Sequence, residues 1–200
     1  MSFRIGALIL AAGQSSRFGR NKLLEPLAGR PMVRHVAEAA LTSPLDPVLV
    51  VTGNESAKVR ATLADLPLGF CDNSNFSAGL STSLKCGLKQ IPPDCDGVMV
   101  LLGDMPGVDA ALISRLVEAF DPQGAAAIVV PTSQGQRGNP VLWARRFFPA
   151  MLELEGDTGA RSLLDRYSGL VREVEACNDA PLRDIDTVDE LAAHRQRPGK

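Results

Sequence analysis

A chain of 200 residues, 45% of them hydrophobic and 22% charged, can bury a substantial core and has the balance of an ordinary globular protein. Its formal net charge of −2 argues against nucleic acid as a bulk partner, so any anion site has to be local. No apolar run approaches the roughly 18 residues of a membrane span, and the apolar N-terminal run breaks at once into a polar loop without a basic lead-in, unlike a signal peptide.

The first element runs from Ile5, a short continuously apolar stretch that reads as a strand buried on both faces. A polar loop follows from Gly13. Pro31 suits a first helical position, and Val33, Val36, Ala37, Ala40 and Leu41 continue at helical spacing until Pro44 and Pro47. Val48 to Val51 is a second strand, Glu55 to Leu66 a weaker helix, and Asp72 to Gly79 an irregular lead into a helix carrying Leu80, Leu84 and Leu88. Gly97 to Leu102 is a strongly apolar strand, and Asp109 caps a helix bearing Leu112, Ile113, Leu116, Val117 and Phe120. Ala125 to Val130 is a strand, Pro131 to Asn139 a loop, and Pro140 to Trp143 a short strand that the proline places at or near an edge. A helix near Arg161 to Tyr167, a strand Leu170 to Val174 and a last helix follow, the last with a capping box at Thr187–Glu190 and a frayed tail from Gln196. This alternation predicts one α/β domain over residues 1–200, with helices on both faces of the sheet. Cys71, Cys86, Cys95 and Cys177 show no C-x-x-C spacing and no nearby histidine, so neither a zinc site nor a disulfide framework is expected, and the cytoplasm is the expected compartment.

The loop after the first strand has small residues at Ser15 and Ser16, a second glycine at Gly19, and the cations Arg17, Arg20 and Lys22. Small residues let backbone N–H groups approach a ligand, and clustered N–H groups with fixed cations suit a polyanion. It is not a P-loop: Gly13 and Gly19 are six apart and Lys22 comes three residues later. Nor is it a dinucleotide fingerprint, because Ser15 and Phe18 stand where further glycines are needed. Asp104 ends another apolar strand, and ligands of open α/β sheets bind outside such strand ends. Asp184 and Asp186, two apart, face the same way on an extended segment. Gly79–Ser83 lies at a loop-to-helix junction, where Ser81 serves either as a plain N-cap or as a hydroxyl toward a ligand. Gln136–Pro140 and Gly156–Arg161 are polar and glycine-rich; Arg137 and Arg161 there are either exposed surface residues or a second anion site.

Leu10-Ala-Ala-Gly-x-Ser-x-Arg-x-Gly-x-x-Lys22 resembles the signature loop of the nucleotidyltransferase superfamily, in particular its molybdenum cofactor cytidylyl- and guanylyltransferases. The resemblance covers nearly the whole chain and implies a Rossmann-like nucleotidyltransferase fold with a mostly parallel central sheet. It implies that Leu10, Ala11, Ala12, Gly13, Ser15, Ser16, Gly19, Gly79, Ser81 and Ser83 bind the nucleotide, with Lys22 and Arg17 neutralising the triphosphate. Gly103-Asp104-Met105-Pro106 matches the family's Gly-Asp-x-Pro element, so Asp104 and Asp186 are the implied Mg²⁺ ligands, with Asp184 as second choice. Arg137, Gly138, Asn139, Pro140, Asp157 and Arg161 fall on the implied acceptor side, where Asn139 replaces a frequent histidine. Ala-Ala-Gly in the loop is associated with cytidine and Ala-Gly-Gly with guanosine. The implied reaction moves CMP from CTP to molybdopterin, with a molybdenum hydroxylase as recipient. The rivals are GTP as donor, a sugar or polyol phosphate as acceptor, and a non-catalytic cofactor carrier. His35 and His194 lie on helical stretches away from all of these segments.

Overall fold

The computed structural model describes residues 3–15 and 18–195; Ser16, Arg17 and the tail 196–200 lie outside the described residues. In chain order the strands are β1 (Ile5–Ala11), β2 (Pro26–Leu27), β3 (Arg30–Pro31), β4 (Val48–Thr52), β5 (Gly69–Asp72), β6 (Gly97–Leu102), β7 (Ile128–Ser133), β8 (Gln136–Arg137), β9 (Val141–Ala144) and β10 (Val171–Glu175). The helices are α1 (Met32–Leu41), α2 (Ser56–Thr62), α3 (Leu80–Leu88), α4 (Ala110–Glu118), α5 (Phe148–Leu152), α6 (Leu163–Arg166) and α7 (Val188–Arg195).

β1 is buried at every residue because strands flank it on both sides and helices cover it. It pairs in parallel with β4 and β6, so Leu8 lies between Leu49 and Val100. The sheet order is β10-β7-β9-β6-β1-β4-β5, with β8 folded back on β7. All its long strands share one direction except β9, which is antiparallel to β6 and β7. Helix α1 packs with α4 and helix α3 with α5. Gly87 lets α3 lie close on the sheet, since a Cβ there would sit 2.9 Å from Leu8 and Val51.

Chain direction creates the crevice. From β1 the chain moves outward to β4 and β5, then returns past β1 to β6. The chain leaves β1 toward one edge of the sheet and β6 toward the other, from adjacent carboxyl ends, and such a reversal of strand order is where open α/β sheets hold ligands.

Several sequence expectations need correction. β9 is an interior strand, not an edge: Pro140 stands ahead of the ladder, so its missing N–H costs nothing, and Leu142 pairs with both Met99 and Val129. β7 starts and ends later than Ala125–Val130, because Thr132 and Ser133 pair with Arg137 and Gln136 of β8. Pro31 precedes α1 as its N-cap, inside the β2–β3 ribbon. The helix expected over Glu55–Leu66 stops at Thr62. Strand β5 and helix α5 had no clear sequence signal. Cys71 of β5 and Cys86 of α3 form a disulfide, contrary to expectation. The chain leaves the edge strand, turns through 73–79 and folds back as α3, and this closure makes the pair without any spacing motif.

Candidate active site

β1 delivers the loop. Beyond Ala11 the chain passes Gly13 and reaches Ser15, whose φ of 51° is left-handed. Ser15 Oγ accepts the Lys22 backbone N–H at 3.2 Å. Asn21 caps the short turn Lys22–Leu24, its Oδ1 accepting the Leu23 N–H at 3.1 Å. These two contacts hold Lys22 under the loop with a side chain only 11% exposed.

β6 delivers Asp104, because the Gly103 N–H donates to the Leu10 carbonyl at 3.0 Å and locks the two strand ends together. The third segment, Asp184 to Asp186, arrives from 80 residues later in the sequence. The Ile185 N–H donates to the Asp104 carbonyl at 3.0 Å, which sets Asp184 and Asp186 on either side of it. Ile185 itself is buried with Phe18, Leu27, Met32 and Leu191, so a small apolar cluster pins this segment to the loop and to α7. The capping box forms as expected: Glu190 Oε2 accepts the Thr187 N–H at 2.9 Å and Thr187 Oγ1 accepts the Glu190 N–H at 3.2 Å. Glu190 also accepts the Asp186 N–H, at 2.7 Å.

Lys22 Nζ lies 2.8 Å from Asp104 Oδ2 and donates to Asp186 Oδ1 at 2.5 Å. Burial works against the Lys22 charge, but Asp104 and then Asp186 outweigh it and hold the ammonium above the ordinary lysine value. The Asp184 carboxyl is pushed up, first by desolvation at the cleft wall and then by the nearby Asp104 and Asp186 carboxylates. Asp104, Asp184 and Asp186 each offer an oxygen within 4.8 Å of the others. Oxygens on opposite sides of a magnesium ion bound at about 2.1 Å stand roughly 4.2 Å apart, so a small closure lets the three fit one divalent cation.

Two clefts meet at this cluster. The first, of about 460 Å³, is lined by Leu10, Ala12, Gly13, Ser15, Lys22, Gly79, Ser83, Asp104 and Asp186. Gln14, Phe76 and Ser77 join them without having been anticipated. So does Asp157, which the sequence reading assigned to the acceptor side. Three expected members do not line this cleft. Ala11 is buried at the end of β1, and Ser81 is buried with its N–H on the Gly156 carbonyl at 3.0 Å. Gly19 lies at a φ of 73°, a turn position rather than a wall of the cleft. Asn73 braces the far wall, its amide donating to Thr82 Oγ1 at 2.8 Å and to Ser83 Oγ at 3.0 Å.

The second cleft, of about 590 Å³, is lined by Arg137, Asn139, Arg161, Asp184 and Glu173, among others. Arg161 donates to the Arg137 carbonyl, and Arg137 Nε donates to Glu173 Oε1 at 2.7 Å. Glu173 therefore offsets part of the cationic rim. Gly138 is required by packing, since a Cβ would run into the Pro181 backbone, and the Asn139 N–H donates to the Pro181 carbonyl at 2.8 Å. Pro140 is buried beneath this rim. A smaller apolar cavity of about 200 Å³ under both clefts is lined by Leu10, Leu80, Val141 and Trp143, with Asn139 and Arg161 also bordering it.

The family described as MobA-like NTP transferase domain matches residues 7–171, the span that holds most of β1, the loop and Asp104 and ends before Asp184 and Asp186. The chain belongs to this family. Among curated relatives it is 33% identical over 194 residues to the purine catabolism protein PucB of Bacillus subtilis, covering 92% of each chain. Among solved structures, Rv0371c of Mycobacterium tuberculosis superposes with a TM-score of 0.86 at 26% identity, covering 98% of this chain and 100% of that one. A complex of that mycobacterial protein with manganese matches at a TM-score of 0.80 and 27% identity, over 96% and 98% of the two chains. A nucleotidyl transferase from Methanothermobacter superposes at 0.81 and 25% identity, over 96% of each. This MobA-like chain therefore has the nucleotidyltransferase fold, and nucleotidyl transfer is its class of activity. Among the described residues no helix is long and apolar enough to cross a membrane.

Proposed function

We propose that the chain, as one nucleotidyltransferase domain, transfers CMP from CTP to the terminal phosphate of molybdenum-bound molybdopterin and releases pyrophosphate. The observation that carries this reading is the cluster of Lys22 with Asp104, Asp184 and Asp186 at the junction of two clefts. Asp186 faces the first cleft and Asp184 the second, so a donor in one and an acceptor in the other would meet at the carboxylates.

Asp104, Asp186 and Asp184 would hold Mg²⁺, which when bound supplies charge neutralisation at the reacting phosphorus. Lys22 and the loop N–H groups bind the triphosphate, and Arg17 is assigned to it by resemblance. Gly79, Ser83 and Ala12 line the same cleft and suit the nucleoside. The Ala12 methyl narrows the space beside the base, which favours a pyrimidine. Arg137 and Arg161 take the acceptor's anionic groups in the second cleft. An oxygen of the acceptor phosphate attacks the α-phosphorus of CTP, the bond to the β-phosphate breaks, and pyrophosphate leaves. No side-chain base is needed: a phosphate monoester has its second pKa near 6 and is already largely a dianion at neutral pH. Catalysis is then positioning and charge neutralisation. His35 fits that picture, as its Nε2 is engaged with the Leu27 carbonyl at 2.8 Å on the back of the loop.

We place the reaction in the cytoplasm with a molybdenum hydroxylase as recipient, a setting compatible with the purine catabolism in the PucB name. The test is pyrophosphate release with Mg²⁺, molybdopterin and each nucleotide in turn. CTP should exceed GTP by kcat/KM and His35→Ala should keep near-normal activity. Equal or reversed base preference sinks the cytidine assignment, and loss of activity in a folded His35→Ala points instead to a hydroxyl acceptor needing a base.

A further inference from the structure

Lys22 does something in this site beyond neutralising phosphate. Its Nζ is bound by Asp104 Oδ2 and Asp186 Oδ1 at 2.8 and 2.5 Å, so it already occupies one oxygen of each of two of the three carboxylates that a cation would need. We propose that Lys22 makes the carboxylate cluster accept a divalent cation only together with a triphosphate. The inference rests on the nucleotidyltransferase reading of the site.

Charge in a confined place sets the order of binding. A free divalent ion entering the cluster must settle against an ammonium that already bridges Asp104 and Asp186, or displace it. Displacement leaves a charged side chain, 11% exposed, without a counter-ion, which proteins tolerate badly. A triphosphate removes both obstacles. Its oxygens give the ammonium a new partner a short swing away, toward Gly13 and Ser15 in the same cleft, and they complete the cation's shell. A lysine suits the exchange, because its compact charge sits on a flexible four-carbon stem. Ser15 holds the backbone of Lys22 and Asn21 that of Leu23, so neither contact fixes the Lys22 stem. By linkage, the factor by which nucleotide raises metal affinity is also the factor by which metal raises nucleotide affinity.

Part of any such coupling comes from direct metal–phosphate bonds, so the decisive measurement is made without nucleotide. Mn²⁺ binding is read by electron paramagnetic resonance on wild type, Lys22→Met and Lys22→Arg, alone and with the α,β-methylene analogue of CTP. Wild type and Lys22→Arg should bind Mn²⁺ weakly when alone. Lys22→Met should bind it at least about tenfold more tightly, within the usual range of coupling between sites, and should gain less from the analogue than wild type does. Nucleotide-free affinity in Lys22→Met no greater than in wild type overturns the proposal. If Lys22→Met does not fold, the wild-type side chain is followed directly with ¹⁵N-lysine resonances. The Lys22 Nζ signal should stay put with Mg²⁺ alone and move with Mg²⁺ plus the analogue; movement with Mg²⁺ alone overturns it. Failure to bind any nucleotide analogue would refute the nucleotidyltransferase reading, while the nucleotide-free comparison still decides the role of Lys22.

Discussion

Gly79 offers a sharp test of how the nucleotide cleft is held together. It sits at φ 108° and ψ 169°, a region essentially reserved for glycine. A Cβ there would fall on the Gly156 carbonyl and 2.7 Å from the Asp157 nitrogen, both backbone, so nothing flexible can yield. Gly156 is the matched control: its φ of 61° is also left-handed, but a Cβ there meets nothing within 4 Å. Gly156→Ala should therefore carry only the backbone term, about 1–2 kcal/mol. Gly79→Ala carries about 1–3 kcal/mol of backbone strain plus about 1–3 kcal/mol of overpacking, together about 4 kcal/mol. At roughly 3 °C per kcal/mol for a chain of this size, Tm should fall by about 12 °C in Gly79→Ala and about 4 °C in Gly156→Ala. Differential scanning fluorimetry reads both. Because Asp157 lines the cleft and Gly79 starts α3, kcat/KM for the nucleotide should fall more than about tenfold in Gly79→Ala. Equal losses of Tm in the two variants would refute the packing of the 155–159 loop on Gly79.

Three further outcomes follow from the same geometry. Asp104→Ala should lose at least about 10²-fold in turnover, the scale of one preorganised electrostatic element, while Tm moves by only a few degrees, since a rim carboxylate supports no core; turnover within a few-fold of wild type removes Asp104 from the site. Cys86→Ser should lose about 3 kcal/mol, the chain-entropy value for the 15-residue separation of this disulfide, and reductant should lower the wild-type Tm to match; identical Tm values under oxidising conditions exclude the bond. The Asp72 carboxyl is held down at about 2, chiefly by the Ser56 and Thr52 hydroxyls and then by Arg60. Its folded value lies below its unfolded value, so the stability it adds is present above about pH 4 and lost as pH falls toward 2. Its side chain is 55% exposed, which discounts that contribution to about 1 kcal/mol. In urea titrations at pH 6 and pH 2.5, the stability deficit of Asp72→Asn against wild type should shrink clearly at the lower pH; an equal deficit at both would remove the Asp72 contacts from the stability of the fold.

Much of the fold was legible because its signals are local. β1 and β6 are continuous apolar runs, and a strand reads that way only when both faces are covered. Asp109 and the Thr187–Glu190 box mark helix starts through hydrogen bonds spanning three residues, and both form. The misreadings come from partners distant in sequence. Pro140 is an edge signal only if it lies within the ladder, and nothing nearby says that pairing begins at Val141. β5 is four residues long, with one buried residue and an exposed end, so its apolar pattern is too short to separate from a loop. Cys71 and Cys86 meet because a strand–turn–helix closes on itself, a fact about three-dimensional return and not about spacing.

The candidate site divides along the same line. Lys22 and Asp104 each carried a sequence signal, one in a small-residue loop and the other at a strand end before proline. Asp184 carried half of one: its two-residue offset from Asp186 puts both on one side of an extended segment, but says nothing of Asp104 standing opposite. That third relation is made by one backbone hydrogen bond, Ile185 to Asp104, and by the Ile185 side chain packing with Phe18 and Met32. Glu173 had no usable signal, and Asp157 was placed only by resemblance, on the acceptor side. An acid on an exposed strand or in a glycine-rich turn is ordinary, and Glu173 matters only because Arg137 lies against it. Asp157 changed sides for a backbone reason: Gly79 lets the 155–159 loop lean on the start of α3, which carries that carboxylate into the first cleft. The residues that sequence could not assign are those whose position depends on a contact between two loops. Glycine at 79 and the buried isoleucine at 185 make those contacts, although neither carries any chemistry of its own.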